Sequence, residues 1–383
     1  MKKVFLWLLV GAVALTAALL ATGSFAASEV RIGVSAPLTG EIAPLGQSTK
    51  NAALMAADEI NAAGGLKVGK DRVKVRLIIE DDENKPESTA NVFQKLIYQD
   101  NVLAIVGSQS SKCTLAGVPI AEAAGVPQIT PWSTNPTVTV GKRYVFRACF
   151  TDDFQGKVVA DFAAKNLKAK TAAVLYDVAS DYNKGIAEVF RREFPKSGGR
   201  VVAFESYTTG DRDFSAQLTK IKAANPDVLF LPNYFNEIPL QVQQARKLGI
   251  TAKILGSDSW DNEVLLKAGG EDLEGTYFSN HYSPDIDRPQ SREFVKKYEA
   301  RFGQKPDAAG ALTYDALRIL FAAIEKAGKL DRKAVRDALA QTKGFAGVTG
   351  DISYPAGSGD PVKSAVMIQI KGGQFRYSAT VNP

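Results

Sequence analysis

The chain has 383 residues, more than one hydrophobic core usually supports, and that length predicts two domains. Its formal net charge of +6 comes from basic residues scattered along the chain, not clustered and interleaved with aromatics, which argues against a nucleic-acid surface. After the N-terminal segment no stretch approaches the roughly 18 apolar residues of a membrane span, which excludes a polytopic membrane protein.

Met1, Lys2 and Lys3 precede the apolar run VFLWLLVGAVALTAALLATG, and Ser24-Phe25-Ala26 follows. A basic region, an apolar region and a small-residue cleavage site predict a secretory signal peptide over 1–26, with an uncleaved anchor as the alternative. No cysteine near the cleavage region offers a lipid anchor. Losing Lys2 and Lys3 takes the charge from +6 to +4.

From residue 29 the pattern alternates. A strand over 29–37 leads through a loop with Gly40, Pro44 and Gly46 to a helix over 47–61, whose alanines let it lie close to a sheet. A strand over 73–80 ends in Asp81-Asp82-Glu83-Asn84. This run lacks the alternating oxygen ligands and central glycine of a calcium loop and is expected to be a polar loop and helix cap. A helix over 86–99 leads to LAIVGSQSSKCTLAGVPIAEAAGVPQITPWSTNP at 103–136. There a strand (103–106), a sharp turn at Gly107, a hydroxyl-rich turn (108–114), a helix to about 124, a strand (126–130) and a turn (131–136) are expected. Strand and helix go on alternating through a strand over 253–255, the signature of a doubly wound α/β architecture. Beyond 275 come a strand over 275–280, helices over 291–302, 310–327 and 331–340, and a terminal hairpin around Lys371-Gly372-Gly373.

The chain has two cysteines, Cys113 and Cys149, and export permits a disulfide between them that would fasten the 108–114 turn to the sheet. The alternative is two buried thiols. One histidine, His281, leaves little material for a metal site or a serine–histidine engine, and it is expected to be a surface or packing residue. No phosphate-binding glycine motif, nucleophile elbow or C-x-x-C occurs. Neither a cofactor, a metal nor an enzymatic activity is expected.

In an open parallel sheet, ligands bind beyond the carboxyl ends of strands. Five such loops carry polar or aromatic groups: 107–114, 131–136, 177–183, 232–235 and 256–260. Hydroxyls and free N–H groups around Ser111 suit a carboxylate, and Asp258 suits an ammonium. Together they suit a zwitterion, with Tyr182 and Tyr234 as aromatic groups bearing a hydroxyl. A helix cap is the alternative for Asp258, and edge packing for the tyrosines. Trp132 either walls a side-chain pocket or packs its turn.

The chain resembles the leucine/isoleucine/valine-binding type of periplasmic solute-binding protein over nearly all of its mature length. The resemblance rests on IGVSAPLTG (32–40), A-x-x-x-A-x-x-x-I-N-A-x-G-G (52–65), the 107–136 stretch, FRACFTDDFQG (146–156), DYNKG (181–185), NPDVLFLPNYFNE (225–237) and ILGSDSWDN (254–262). It implies a type I periplasmic binding protein fold: two doubly wound parallel-sheet lobes joined by three crossings near 148–151, 274–278 and 351–356. The N-terminal lobe would comprise 27–148 and 277–352, and the other lobe 149–276 and 353–383.

The same resemblance implies a ligand carboxylate held by Ser111 and the turn Trp132, Ser133 and Thr134, an ammonium held by Asp258 with Tyr182, and Tyr234 facing the ligand. Leu45 stands where many members carry an aromatic residue, and Trp132 where a small one is common, so the side-chain pocket is reshaped. The function implied is an exported monomer that captures an aliphatic or branched-chain amino acid between its lobes and delivers it to the permease of an ATP-driven importer. The alternatives are a binder of short amides, urea or small aromatic acids, and a sensory module.

Overall fold

A computed structural model describes residues 29–383; the expected signal peptide, 1–26, lies outside the described residues. The first sheet holds β1 (Glu29–Ala36), β2 (Leu66–Val68), β3 (Asp71–Asp81), β4 (Ala104–Val106), β5 (Gln128–Thr130) and β6 (Val145–Arg147) in the order β2-β3-β1-β4-β5-β6. All its pairs are parallel except β2 with β3. The second sheet is built on β7 (Thr171–Asp177), β8 (Arg200–Tyr207), β9 (Val228–Leu231), β10 (Lys253–Gly256) and β11 (Tyr277–Asn280), all parallel. A small ladder of β12 (Phe345–Gly347) and β13 (Gly350–Ile352) stands apart, and the expected hairpin, β14 (Ala365–Lys371) and β15 (Gln374–Val381), adds antiparallel to the edge at β11. Strands such as β4 and β9 are buried along their whole length, as strands covered on both faces must be.

Helices α1 (Ala43–Ala62), α2 (Pro86–Gln94) and α3 (Ser111–Ala123) belong with the first sheet, and α4 (Asp152–Lys165), α5 (Asp181–Glu193), α6 (Ser215–Ala224), α7 (Ile238–Lys247) and α8 (Glu263–Gly269) with the second. Then α9 (Pro289–Phe302), α10 (Ala308–Ala327) and α11 (Arg332–Leu339) return to the first. The long α10 packs on α1, with Thr313 Oγ1 and Thr49 Oγ1 3.4 Å apart and a Ser48–Asp307 hydrogen bond of 2.7 Å. Buried apolar side chains run continuously from Val34 and Leu312 beside the first sheet to Leu231 and Trp260 beside the second. Among the described residues, no helix is long and apolar enough to cross a membrane.

Two expectations need correction. First, β11 was expected at the second crossing, yet it pairs with β10 on one side and β14 on the other, inside the second sheet. The chain therefore returns to the first sheet's helices after Asn280. Second, Cys113 and Cys149 are free, buried thiols. Each has its own partner: Cys113 Sγ faces Asn84 Oδ1 at 3.7 Å, and Cys149 Sγ donates to the Ser133 carbonyl at 3.2 Å. Burial pushes their pKa values up to about 11 and about 12, so both stay protonated.

Candidate functional site

The site starts at Gly107. Its φ is +126°, and a side chain there would meet the Ser35 carbonyl at 2.4 Å, so only glycine lets the chain leave β4 here. The polar turn that follows rests on Asp82, whose buried carboxylate accepts from Ser35 Oγ at 2.7 Å and Ser108 Oγ at 2.6 Å. The acidic run after β3 thus braces the turn, and no group of three metal-ligating side chains is assembled among the described residues.

Ser111 opens α3. The residue before it, Ser110, gives its side chain to Asn84 and does not cap the helix, so the first-turn N–H groups stay free. Ser111 Oγ ties this end to the next turn: Asn135 N–H and Ser133 Oγ both donate to it at 3.3 Å. Thr134 Oγ1 is buried without a hydrogen-bond partner. Trp132 is buried, with its Nε1 3.4 Å from Thr49 Oγ1 on α1.

The second lobe supplies the other face. Asp258 follows β10, and its side chain is 8 % exposed. Oδ1 accepts from Tyr182 OH at 2.5 Å and from Gln155 Nε2 at 2.7 Å; Oδ2 lies 2.9 Å from His281 Nε2. Burial pushes this carboxyl's pKa up, but the donors outweigh it and hold Asp258 below its ordinary value, hence anionic. Tyr182 also reaches Ser257 Oγ at 2.7 Å, and its ring sits 5.5 Å from that of Tyr234.

Between these faces lies a small cavity of about 20 Å³. Ser111, Trp132 and Leu45 line it from the first lobe with Ala308, Ala309 and Leu312 of α10; Tyr182, Tyr234, Asp258, Ser259, Asp261 and His281 line it from the second. Of the seven residues expected in the site, Ser111, Trp132, Tyr182, Tyr234 and Asp258 meet here. Ser133 and Thr134 do not line the cavity: the Ser133 hydroxyl donates to Ser111 Oγ, and Thr134 is buried. Trp132 both walls the cavity and packs its turn.

His281 is the clearest correction. It is neither surface nor mere packing, but a buried cavity-lining partner of Asp258. A single histidine offers no spacing to read, and its partner lies 23 positions earlier. The α10 residues were equally hidden, since nothing in an alanine-rich helix start marks a pocket wall. Gln155 carried a signal, sitting in the FRACFTDDFQG motif, but no role could be read for it.

Two lobes that close an apolar and polar cavity between the carboxyl ends of their sheets define a cleft-binding receptor. The family model described as "Periplasmic binding protein" matches residues 29–374. The chain is 33 % identical to Leu/Ile/Val-binding protein homolog 3 of Brucella melitensis, over 88 % of this chain and 90 % of that one. Its fold is similar to a leucine-binding protein of Thermotoga maritima, with TM-score 0.87, 38 % identity and coverage of 92 % and 99 %. It is also similar to a branched-chain amino acid transporter substrate-binding protein of Streptococcus pneumoniae solved with isoleucine, with TM-score 0.87, 34 % identity and coverage of 93 % and 100 %. The chain belongs to the periplasmic binding protein family.

Proposed function

We propose that the chain is exported, loses residues 1–26, and captures an α-amino acid with an aliphatic or branched side chain in the interlobe cleft. The closed form then delivers it to the permease of an ATP-driven importer. The observation that carries this reading is the opposition, across one cavity, of anionic Asp258 and the uncapped N-terminus of α3 at Ser111. A ligand carboxylate suits the α3 N–H groups and the Ser111 hydroxyl. An ammonium suits Asp258, with Tyr182 beside it in the cavity wall. Leu45, Trp132, Ala308, Ala309 and Leu312 leave an apolar volume for the side chain. The relatives' printed ligands, leucine and isoleucine, match that division of polar and apolar walls.

Titration calorimetry against leucine, valine, phenylalanine, glutamate, urea and benzoate tests the reading. Leucine or valine is expected to bind, and Asp258→Asn is expected to weaken that binding by roughly 2–5 kcal/mol, the scale of a broken buried charge pair. Unchanged affinity in the variant would remove Asp258 from the ammonium. Binding of urea or benzoate alone would move the protein to the amide and aromatic-acid alternative.

A further inference from the structure

The Asp258–His281 couple has features that the amino-acid reading does not use. A carboxylate can only accept, so the 2.9 Å contact puts the ring proton on Nε2 and leaves Nδ1 with a bare lone pair. Nδ1 is buried and meets no donor in the protein. The ring cannot easily turn to find one, because it lies against Phe150 with ring centroids 3.7 Å apart.

The charge around the couple is just as one-sided. Tyr182 and Gln155 give Asp258 neutral hydrogen bonds, and among the described residues no lysine or arginine forms an ion pair with it. The other titratable groups facing the couple are Asp261 after β10, raised by burial to about 6, Tyr182 and Tyr234, Asp152 at the start of α4, Cys149 after β6 and Lys363 before β14. Burial pushes the Asp152 carboxyl well above its ordinary pKa, toward the neutral form, and Cys149 is a thiol. Lys363 spends its ammonium on Thr349. Burial likewise keeps His281 below the ordinary histidine value, against the pull of Asp258, so the ring is neutral near pH 7.

We propose that His281 selects the class of ligand by setting the charge of this couple. With a neutral ring the couple is a buried monoanion with a free acceptor at Nδ1, which admits a ligand that brings its own ammonium and turns away one that brings only a carboxylate. A protonated ring makes the couple neutral, replaces the Nδ1 acceptor with a donor, and cancels the preference. His281 is thus a specificity-determining residue, and the inference rests on the amino-acid reading above.

Because bound ammonium favours the neutral ring, leucine affinity falls as pH drops through the free protein's His281 pKa, by up to about tenfold per pH unit. Benzoate, with a carboxylate and no ammonium, moves the other way.

Calorimetry on the mature chain with leucine and with benzoate, at about pH 7.5 and about pH 5, tests this in the wild type and in His281→Gln. Glutamine keeps a donor toward Asp258 but does not titrate. The expected result is a loss of leucine affinity at the lower pH in the wild type and a clearly smaller loss in the variant, in which Asp261 still titrates but residue 281 does not. Since His281 is the one histidine in the chain, its ¹⁵N imidazole signals are unambiguous and report the tautomer directly even if the variant folds poorly. A proton on Nε2 that moves to both nitrogens at low pH supports the proposal. An Nδ1-protonated neutral ring, a flat wild-type response alongside firm leucine binding, or a variant that keeps the wild-type response would overturn the proposal alone. A folded wild type that binds leucine at neither pH would overturn the amino-acid reading, and the proposal with it.

Discussion

Arg147 is fully buried, and every arm of its guanidinium is engaged. Nε donates to Asp360 Oδ1 at 2.6 Å, Nη1 to the Ser133 carbonyl at 2.8 Å, and Nη2 to the Asn135 carbonyl at 3.0 Å and Thr139 Oγ1 at 2.8 Å. A planar fork holding two carbonyls of one turn fixes the path of Ser133–Asn135 and ties it to the segment before β14. Arg147→Met takes the charged donor from both carbonyls and from Asp360, leaving them the Cys149 thiol, the Val138 N–H and the Thr139 hydroxyl. The expected loss is about 3 kcal/mol of stability, the low end for a broken buried pair because Asp360 keeps some contact with solvent. Denaturant unfolding measures it, and lysine, which cannot make the fork, is expected to restore little. An unchanged midpoint in Arg147→Met would show that the turn holds itself. The sequence offered Arg147 as part of a motif but not as a clamp, because its partners lie between 8 and 213 positions away. Residues whose place is local were legible in position: Gly107, Ser111 and Asp258 each sit just beyond a strand end. His281 was not, because its role comes entirely from what the fold places beside it.

At the scale of elements, one contact between the lobes joins the segment after β10 to the start of α10. Asp261 Oδ2 accepts the Ala308 N–H at 2.6 Å, a carboxylate from the second lobe on a helix N-terminus of the first. The helix already has a cap of its own, since Asp307 Oδ1 accepts from Gly310 N–H at 2.9 Å. Two acidic groups therefore share one helix end. Burial is the main reason that their pKa values rise to about 6 for Asp261 and about 7 for Asp307, with Asp261 adding to the rise at Asp307. Asp261→Ala removes the interlobe contact and is expected to weaken ligand binding by about 1–2 kcal/mol, the scale of a carboxylate at a partly buried helix end. The radius of gyration of the ligand-saturated variant in small-angle scattering should exceed that of the wild type. Equal affinity and equal radius would remove Asp261 from closure. The alternation of strands and helices that builds both lobes was legible from periodicity alone. The second crossing was not, because a strand that ends a sheet and a strand that leaves it carry the same apolar pattern, and only the pairing of β11 with β14 tells them apart.

For the whole molecule, several buried carboxylic acids act together on stability. Burial raises Asp261 to about 6, Asp307 to about 7 and Glu237 to about 7, all above their unfolded values. A raised acid binds more protons folded than unfolded, so its contribution is complete below the unfolded pKa and is lost as pH rises through the folded one. The window therefore runs from about pH 4 to about pH 7. His281 opposes the trend, but only between its lowered folded value and the ordinary histidine value. The lowered carboxylates Asp81 and Asp227 act only in stronger acid, below the ordinary aspartate value of 3.8. Ligand-free protein is accordingly expected to unfold at higher urea at about pH 5 than at about pH 7.5, with each raised group contributing up to about 1.4 kcal/mol per pH unit while it titrates. Glu237→Gln, which keeps an acceptor for the Tyr207 hydroxyl that now reaches Glu237 Oε2 at 2.9 Å, removes one of the three groups without touching the cleft lining. It should flatten the profile between about pH 4.5 and about pH 7 and leave the slope due to Asp261 and Asp307 in place. A urea midpoint that rises with pH across this window would mean that these acids are ionised in the folded protein, and that the α10 terminus holds Asp261 and Asp307 as two charges.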